Sequence, residues 1–558
     1  MKQFVLWFGR GQNGARIVYS ILAICILGPL LLPGYVHTLD MAFAPHPPLL
    51  SDLRSSYALY AILHVMSFIV PMDYLQKIML FAILLAGGFG AHRLSHWVSP
   101  LAKSMSRDWS AYIAGILYVV NPFTYDRFMA GHYAVLLGYA ILPFFVMSLL
   151  KLVYKPTIKS AVILGVWVAA VGVVSIHMLG PVSIAALVAA AAAVWRYRKQ
   201  LSLINTLVLC SLLAAGVFLV ASCYWLVPLI FWHSATTDQI QQFTSVDRSA
   251  FATIGGNVVG AISNVMRLQG FWAESRGLFV LPQQVMPLWG LLGFVVIIIA
   301  TVGVIWMWRR SRLFAVFFAT CAVIAGWFSL GTTFGFVSAV NMWLTDHLPL
   351  FAGYREPQKF VALVALCYAV LVAAGCRAIA TRISGANPRR IVIAIMIALP
   401  FLWTPTMLWG FADQLHSAPY PSDWSIVKTL IDQRAGETSV LFLPWHEYMN
   451  LDMAQRIVAV PSETYFGSRI IASHDPEYEG LGPDLSYPAS ATMQTSILPH
   501  AGDADFVSRL ISAHVGYIIL AKEYDYQKYQ YLSVPGIQQV YDGPKMSLYE
   551  VTQKEIAQ

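Results

Sequence analysis

Trp289-Gly-Leu-Leu-Gly-Phe-Val-Val-Ile-Ile-Ile-Ala-Thr-Val-Gly-Val-Ile-Trp306-Met-Trp308, followed at once by Arg309-Arg310-Ser-Arg312, is the stretch that decides the fold class. Residues 289–308 carry no charge. As a helix rising about 1.5 Å per residue, such a run crosses a hydrocarbon core of about 30 Å. The basic cluster behind it is what cytoplasmic flanks of spans collect, and the tryptophans suit the interface. The whole chain follows suit. Its 558 residues are 58% hydrophobic and 11% charged, and the mean hydropathy is +0.63. A soluble domain is about 25% charged. So few charges cannot cover a soluble surface, which excludes a soluble enzyme, a disordered chain and a disulfide scaffold. A polytopic α-helical membrane protein remains.

Eleven spans are expected, at about 16–36, 75–95, 110–125, 133–152, 159–178, 180–195, 203–232, 284–308, 313–333, 357–380 and 391–411. The apolar stretch 57–71 ends at Pro71 and Asp73 and carries His64; it reads as a helix lying on the membrane surface. One set of loops holds nineteen basic residues, among them Lys2, Arg10, Lys103 and Arg309, against the single acid Asp108. The opposite loops hold eight basic residues and ten acids, including Asp238, and residues from 415 onward hold nine and seventeen. The net +8 is therefore topology rather than a nucleic-acid signal. It places the N-terminus in the cytoplasm and residues 415–558 outside. An Ala-x-Ala at Ala42–Ala44 lies about ten residues past the first apolar run and precedes Pro45, so that run reads as an uncleaved span. The six cysteines all fall in expected spans, where they read as small packing residues, and no structural disulfide is expected. Residues 1–414 read as the transmembrane domain and 415–558 as a small extracytoplasmic α/β domain. In the latter, Ser439–Leu443, Val515–Leu520, Gln538–Tyr541 and Ser547–Val551 pattern as strands, and Trp424–Gln433 and Ala504–Ser512 as helices.

Only the outer side has substantial loops. No phosphate loop, dinucleotide fingerprint or His/Cys metal cluster occurs, so any chemistry belongs outside, at the membrane surface. The loop after the first span, Pro33-Gly-Tyr-Val-His-Thr-Leu-Asp40, puts a carboxylate just past the membrane edge. Asp40 there suits a general base on an acceptor hydroxyl, or a solvated loop acid or helix cap. Asn121-Pro-Phe-Thr-Tyr-Asp126-Arg127-Phe-Met-Ala-Gly131-His132-Tyr133 reads as a tight outer turn. Arg127, His132 and Tyr133 suit an anionic or sugar group, or Asp126 simply pairs with Arg127. In Tyr354-Arg355-Glu356-Pro357-Gln-Lys359, Pro357 suits a first helical turn, and Arg355 and Lys359 stand four apart on one helical face. Both can reach a phosphate at headgroup depth, or they snorkel and Arg355 pairs with Glu356. The long loop 233–283 suits a binding or lid role, with Trp272 beside Glu274 as a sugar contact or an interfacial anchor. Tyr465, Tyr478, Tyr524, Tyr526, Tyr529 and Tyr531 make the outer segment rich in polar aromatics, as carbohydrate contacts or ordinary packing. No internal repeat is evident, and mid-span charges are scarce, which disfavours an ion-coupled transporter.

One span, an acid-bearing first outer loop, many spans with short inner loops and an outer C-terminal domain together resemble the GT-C superfamily of polytopic membrane glycosyltransferases. The likeness is to the arabinofuranosyltransferase-like and YfhO-like branches. Its local carriers are Asn-Pro-Phe at 121–123 with Arg127, Gly131 and His132, then Arg355-Glu-Pro-Gln-Lys359, and the run from Gly516-Tyr-Ile-Ile-Leu-Ala to Met546-Ser-Leu-Tyr-Glu-Val. The resemblance implies transfer of a sugar from a polyprenyl-phosphate donor to an extracytoplasmic glycan, lipid or protein. It places the catalytic base on Asp40, with Asp52 as fallback, and the lipid phosphate on Arg355, Lys359 and Arg127. The first loop lacks an Asp-x-Asp or Glu-x-Asp, so no metal or other cofactor is expected. A lipid or polysaccharide transporter and a non-catalytic envelope scaffold are the alternatives.

Overall fold

A computed structural model describes residues 13–47, 49–50, 52–99, 105–232, 237, 240, 243–332, 335–348, 350–477 and 487–552. Lys2, Arg10, Lys103, Asp238 and Tyr478 lie outside the described residues. The principal helices are α1 (Asn13–Leu27), α2 (Tyr57–Ser67), α3 (Met72–Val98), α4 (Trp109–Val119), α5 (Pro122–Met129), α6 (Tyr133–Tyr154), α7 (Ile158–Val174), α8 (Leu179–Tyr197), α9 (Leu201–Phe231), α10 (Ser245–Ala250), α11 (Trp289–Trp308), α12 (Arg312–Ser329), α13 (Val361–Ala380), α14 (Ala386–Trp403), α15 (Ser422–Arg434) and α16 (Phe506–Ser512). The strands are β1 (Tyr35–Val36), β2 (Ser417–Ala418), β3 (Ser439–Leu443), β4 (Tyr448–Leu451), β5 (Arg456–Ala459), β6 (Ile470–Ile471), β7 (Val515–Ala521), β8 (Ile537–Asp542) and β9 (Met546–Val551).

Among the described residues, nine helical segments are long and apolar enough to cross a membrane: Asn13–Leu31, Met72–Val98, Tyr133–Tyr154, Ile176–Tyr197, Leu201–Phe231, Trp289–Trp308, Arg312–Ser329, Pro357–Ala380 and Ala386–Trp403. The chain is a multi-pass membrane protein. Two of the eleven expected spans are shorter. The run 159–178 forms a 17-residue helix, α7, that ends at Ser175. The run 110–125 is cut in two by Asn121-Pro122. Asn121 Nδ2 donates to the Leu117 and Tyr118 carbonyls (both 2.9 Å), closing α4, while its Oδ1 accepts from Thr124 N (3.0 Å), opening α5. Pro122 lacks an N–H and fits the first position of the new helix. The expected tight turn is thus a short buried helix.

The chain divides into two compact units, residues 1–28, 52–59 and 78–414, and residues 29–51, 60–77 and 415–558. In the first, α13 is buried except at Arg377 and Ile379 near its end, packed on α4, α11, α12 and α14. Its backbone meets that of α11 so closely that a Cβ at Gly303 would lie 1.9 Å from Leu371 O, and one at Gly375 would lie 2.0 Å from Ile299 O. Small residues let membrane helices approach in this way.

In the second unit the sheet order is β6-β3-β7-β9-β8, with β6, β3 and β7 parallel and β9 and β8 antiparallel. Its two faces are packed, one around Trp424, Phe442 and Phe466 and the other around Phe506, Leu510 and Ile518. Two segments that the sequence reading assigns to the transmembrane domain, 29–51 and 60–77, cluster with this unit instead. The reason is backbone pairing: β1 pairs with β2, and Gln76 donates to the Val36 carbonyl (2.7 Å) and accepts from its N–H (2.9 Å).

Candidate functional site

Two groups of side chains, one in each unit, hold most of the candidate residues read from the sequence. In the first unit all of α5 is buried, which puts Asp126 and Arg127 inside the protein. Gly131, at φ +74°, turns the chain sharply into α6. That turn brings His132 back to its own helix: the Arg127 carbonyl accepts from His132 N (2.9 Å), and Arg127 Nη1 donates to His132 Nδ1 (2.9 Å). The same Nη1 also donates to Glu356 Oε2 (3.2 Å), whose second cation is Lys359 (3.6 Å). Tyr133 follows, half-buried, at the start of α6. The Arg127 plane lies 4.2 Å from the ring centroid of Phe271. Its Nε and Nη2 are buried and have no hydrogen-bond partner among the described residues. Burial alone would raise the Glu356 carboxyl. Lys359, His132, Arg127 and Arg355 around it instead hold it well below the usual carboxylate range.

Beside this group, burial and then the neighbouring Glu274 carboxylate push the Asp126 carboxyl well up, and burial raises Glu274 as well. Glu274 Oε1 accepts from Gly270 N (2.8 Å) and Phe271 N (2.9 Å), which suits an ionised group. The Asp126–Arg127 pair considered from sequence is therefore replaced by Asp126–Glu274 and Arg127–Glu356.

Arg355 and Lys359 are not on one α-helical face. Residues 357–360 form a 3₁₀ turn entered through Glu356 at φ −97°, ψ 84°, so the four-residue spacing does not align them. Lys359 reaches Glu356, while Arg355 Nη1 reaches Asp247 Oδ1 on α10 (3.2 Å) and stacks over Phe243 and Phe251 at 4.2 and 4.4 Å. Trp272 is buried within its own loop, under Arg276 at 4.1 Å and against Phe251 and Phe271. Asp52 is held by Arg54 through contacts of 2.6–3.0 Å.

The second group lies around the first outer loop. Thr38 and Met41 exchange backbone hydrogen bonds (3.2 and 2.7 Å), making a two-residue turn of Leu39 and Asp40. Leu39 sits at φ +31°, a strained value for a side-chain-bearing residue, and its carbonyl accepts from Ala459 N of β5 (2.7 Å). Asp40 is exposed at the tip, and Tyr448 of β4 donates to its Oδ1 (2.8 Å). The β4–β5 hairpin thus fixes the turn and orients its carboxylate. Two residues behind, His37 is 2% exposed and packed against the Tyr35 and Tyr420 rings, with neither ring nitrogen hydrogen-bonded among the described residues. Burial lowers its pKa to about 4, so the imidazole is neutral. Sequence reasoning passed over Tyr448 and His37. The alternation of β4 is too short to signal a hairpin, and nothing local marks a loop histidine as buried.

The helical membrane unit and the sheet domain together define a GT-C-like fold. Among solved structures, the chain is similar to the arabinofuranosyltransferase AftD from mycobacteria, with a TM-score of 0.61 and 14% identity over 97% of this chain. A mutant form of AftD matches with a TM-score of 0.60 and 14% identity over 98%. The chain spans about 40% of the length of AftD. No family model matches the sequence, nor does any curated protein.

Proposed function

We propose that the chain is a membrane glycosyltransferase that moves a sugar from a polyprenyl-phosphate donor to an extracytoplasmic glycan, lipid or protein acceptor. The observation that carries the reading is the likeness to AftD over 97% of this chain. Asp40 is the general base. It takes the proton of an acceptor hydroxyl, whose oxygen attacks the anomeric carbon as the bond to the carrier phosphate breaks. Tyr448 orients Asp40 through the hydrogen bond to its Oδ1. Lys359 and Arg355 stabilise the charge that grows on the phosphate. Arg127, His132 and Tyr133 line the anion seat, and Arg127 Nε and Nη2, which have no hydrogen-bond partner among the described residues, support that role. No metal or cofactor enters the scheme. The charge bias of the loops places the N-terminus in the cytoplasm and the sheet domain outside.

The test is transfer itself. Full-length protein in lipid nanodiscs is incubated with radiolabelled polyprenyl-phosphate pentoses and hexoses and cell-envelope extracts. Label should pass from the carrier to an acceptor fraction. If no donor releases its sugar while the protein moves the intact lipid between leaflets, the transporter alternative replaces this reading.

A further inference from the structure

The last two turns of α9, the end of α7, the start of α6 and residues 53–56 wall a partly open cavity of about 210 Å³. All four belong to the first unit. Tyr224 of α9 donates to the Ser55 carbonyl (2.7 Å), which ties the 53–56 segment to that helix. Val174, Ile176 and Leu229 supply an apolar wall, and Ser55, Ser56 and Ser175 supply hydroxyls. Arg54 also lines the cavity, but its guanidinium is held by Asp52, so the pair brings no net charge. Such a wall suits a ligand that is largely apolar, uncharged at the contact, and able to accept hydrogen bonds.

A second observation points the same way. Trp225 forms part of the wall and is 2% exposed, yet its Nε1 has no hydrogen-bond partner among the described residues. An indole N–H is a donor only, and a buried one ordinarily finds an acceptor. The membrane supplies the candidates. The 31 residues of α9 make a helix about 46 Å long, against a hydrocarbon core of about 30 Å. It therefore reaches past the core into the layer where lipid ester groups lie, and Trp232, exposed at its end, suits that layer. Around Leu229, the side chains of Val227, Ile230 and Phe231 are exposed and apolar, as on a surface turned to lipid. Water would answer the hydroxyls but would leave the aliphatic wall wet, whereas a lipid answers both.

We propose that this cavity holds one diacyl glycerophospholipid of the surrounding membrane. An ester carbonyl of the lipid accepts from Trp225 Nε1 and from a serine hydroxyl, and the adjoining acyl chain packs on Val174, Ile176 and Leu229. Ala134, also on the wall, follows Tyr133 in the chain, so the lipid is a neighbour of the candidate site and not its substrate. The inference stands whether or not the chain transfers sugar.

The test is native mass spectrometry of the full-length protein in detergent, stripped of annular lipid and titrated with phosphatidylcholine. One form of the probe carries ester-linked chains and the other ether-linked chains, which lack the carbonyls. The ester form should fill one tight site per protein, about fivefold tighter than the ether form, the worth of a single hydrogen bond. Trp225→Phe keeps the ring and removes the N–H. It should bind both forms alike, with its affinity for the ether form equal to that of the native protein. Equal binding of the two forms by the native protein, or a preference for the ester form that survives in Trp225→Phe, would overturn the proposal. Displacement of the ester lipid by equimolar undecaprenyl phosphate would overturn it too, by giving the cavity to the sugar carrier.

Discussion

At the residue scale the decisive facts are buried charges and their partners. Arg127, Glu356 and Lys359 form one network in which Glu356 is shared by both cations. Removing one member leaves an uncompensated charge in a desolvated place, whereas removing a matched pair does not. Arg127→Met and Glu356→Gln should each destabilise the protein by about 3–5 kcal/mol, and the double variant by clearly less than the sum. Thermal melts of the four proteins in one detergent measure the cycle; strict additivity would mean the residues are not coupled. His37 makes a pH prediction of definite sign. Its folded pKa is about 4, below the ordinary 6.5, so the unfolded chain binds more protons between those values. Stability conferred by neutral His37 is fully present above pH 6.5 and is lost as pH falls towards 4, by up to about 3 kcal/mol. His37→Phe should flatten the fall in melting temperature across that window, and a variant as pH-sensitive as the native protein would refute the burial argument. None of these partners was legible beforehand. Asp126 beside Arg127 in sequence suggested an ion pair, but the pairings reach Glu274 and Glu356, which no local pattern announces.

At the element scale the packing of α11 on α13 rests on Gly303 and Gly375, where each helix leaves room for the other's backbone carbonyl. Gly375→Leu should prevent the two helices from meeting and abolish a folded, monodisperse protein. Gly375→Ala should cost about 1–3 kcal/mol. Gly216→Ala, on α9 with no atom within 4 Å of the added Cβ, should leave the melting temperature unchanged or raise it slightly. Equal effects at both sites would contradict close approach as the cause. Spans were readable from composition because lipid and protein core are equally apolar, and for the same reason the order of burial was not. Nothing in hydropathy separates α13, buried along almost all its length, from α9, which is mostly exposed. The strands β3, β7, β8 and β9 were legible from alternation and β-branched residues. The β4–β5 hairpin was not, since four-residue strands carry too little pattern, yet that hairpin holds the loop bearing Asp40.

At the scale of the whole molecule, fold class came through the sequence almost intact, because spans, loop lengths and an outer α/β segment are properties of order and composition. The division of the chain did not: residues 29–51 and 60–77 cluster with 415–558 through long-range pairing, which sequence position hides. Of the candidate site, the identities of Asp40, Lys359 and Arg355 were readable from their place beside the membrane edge, while their partners were not. Trp272, the sugar contact expected from its neighbour Glu274, is buried in its own loop. Asp40 as the base of sugar transfer is the step on which the proposed function turns. The direct measurement is sugar transfer from a polyprenyl-phosphate donor by Asp40→Asn, with Asp52→Asn as the control and carrier binding measured alongside. Asp40→Asn should bind the carrier as well as the native protein does but lose at least about a hundredfold in transfer, the usual scale for a general base, while Asp52→Asn keeps its activity. Full transfer by Asp40→Asn would contradict it.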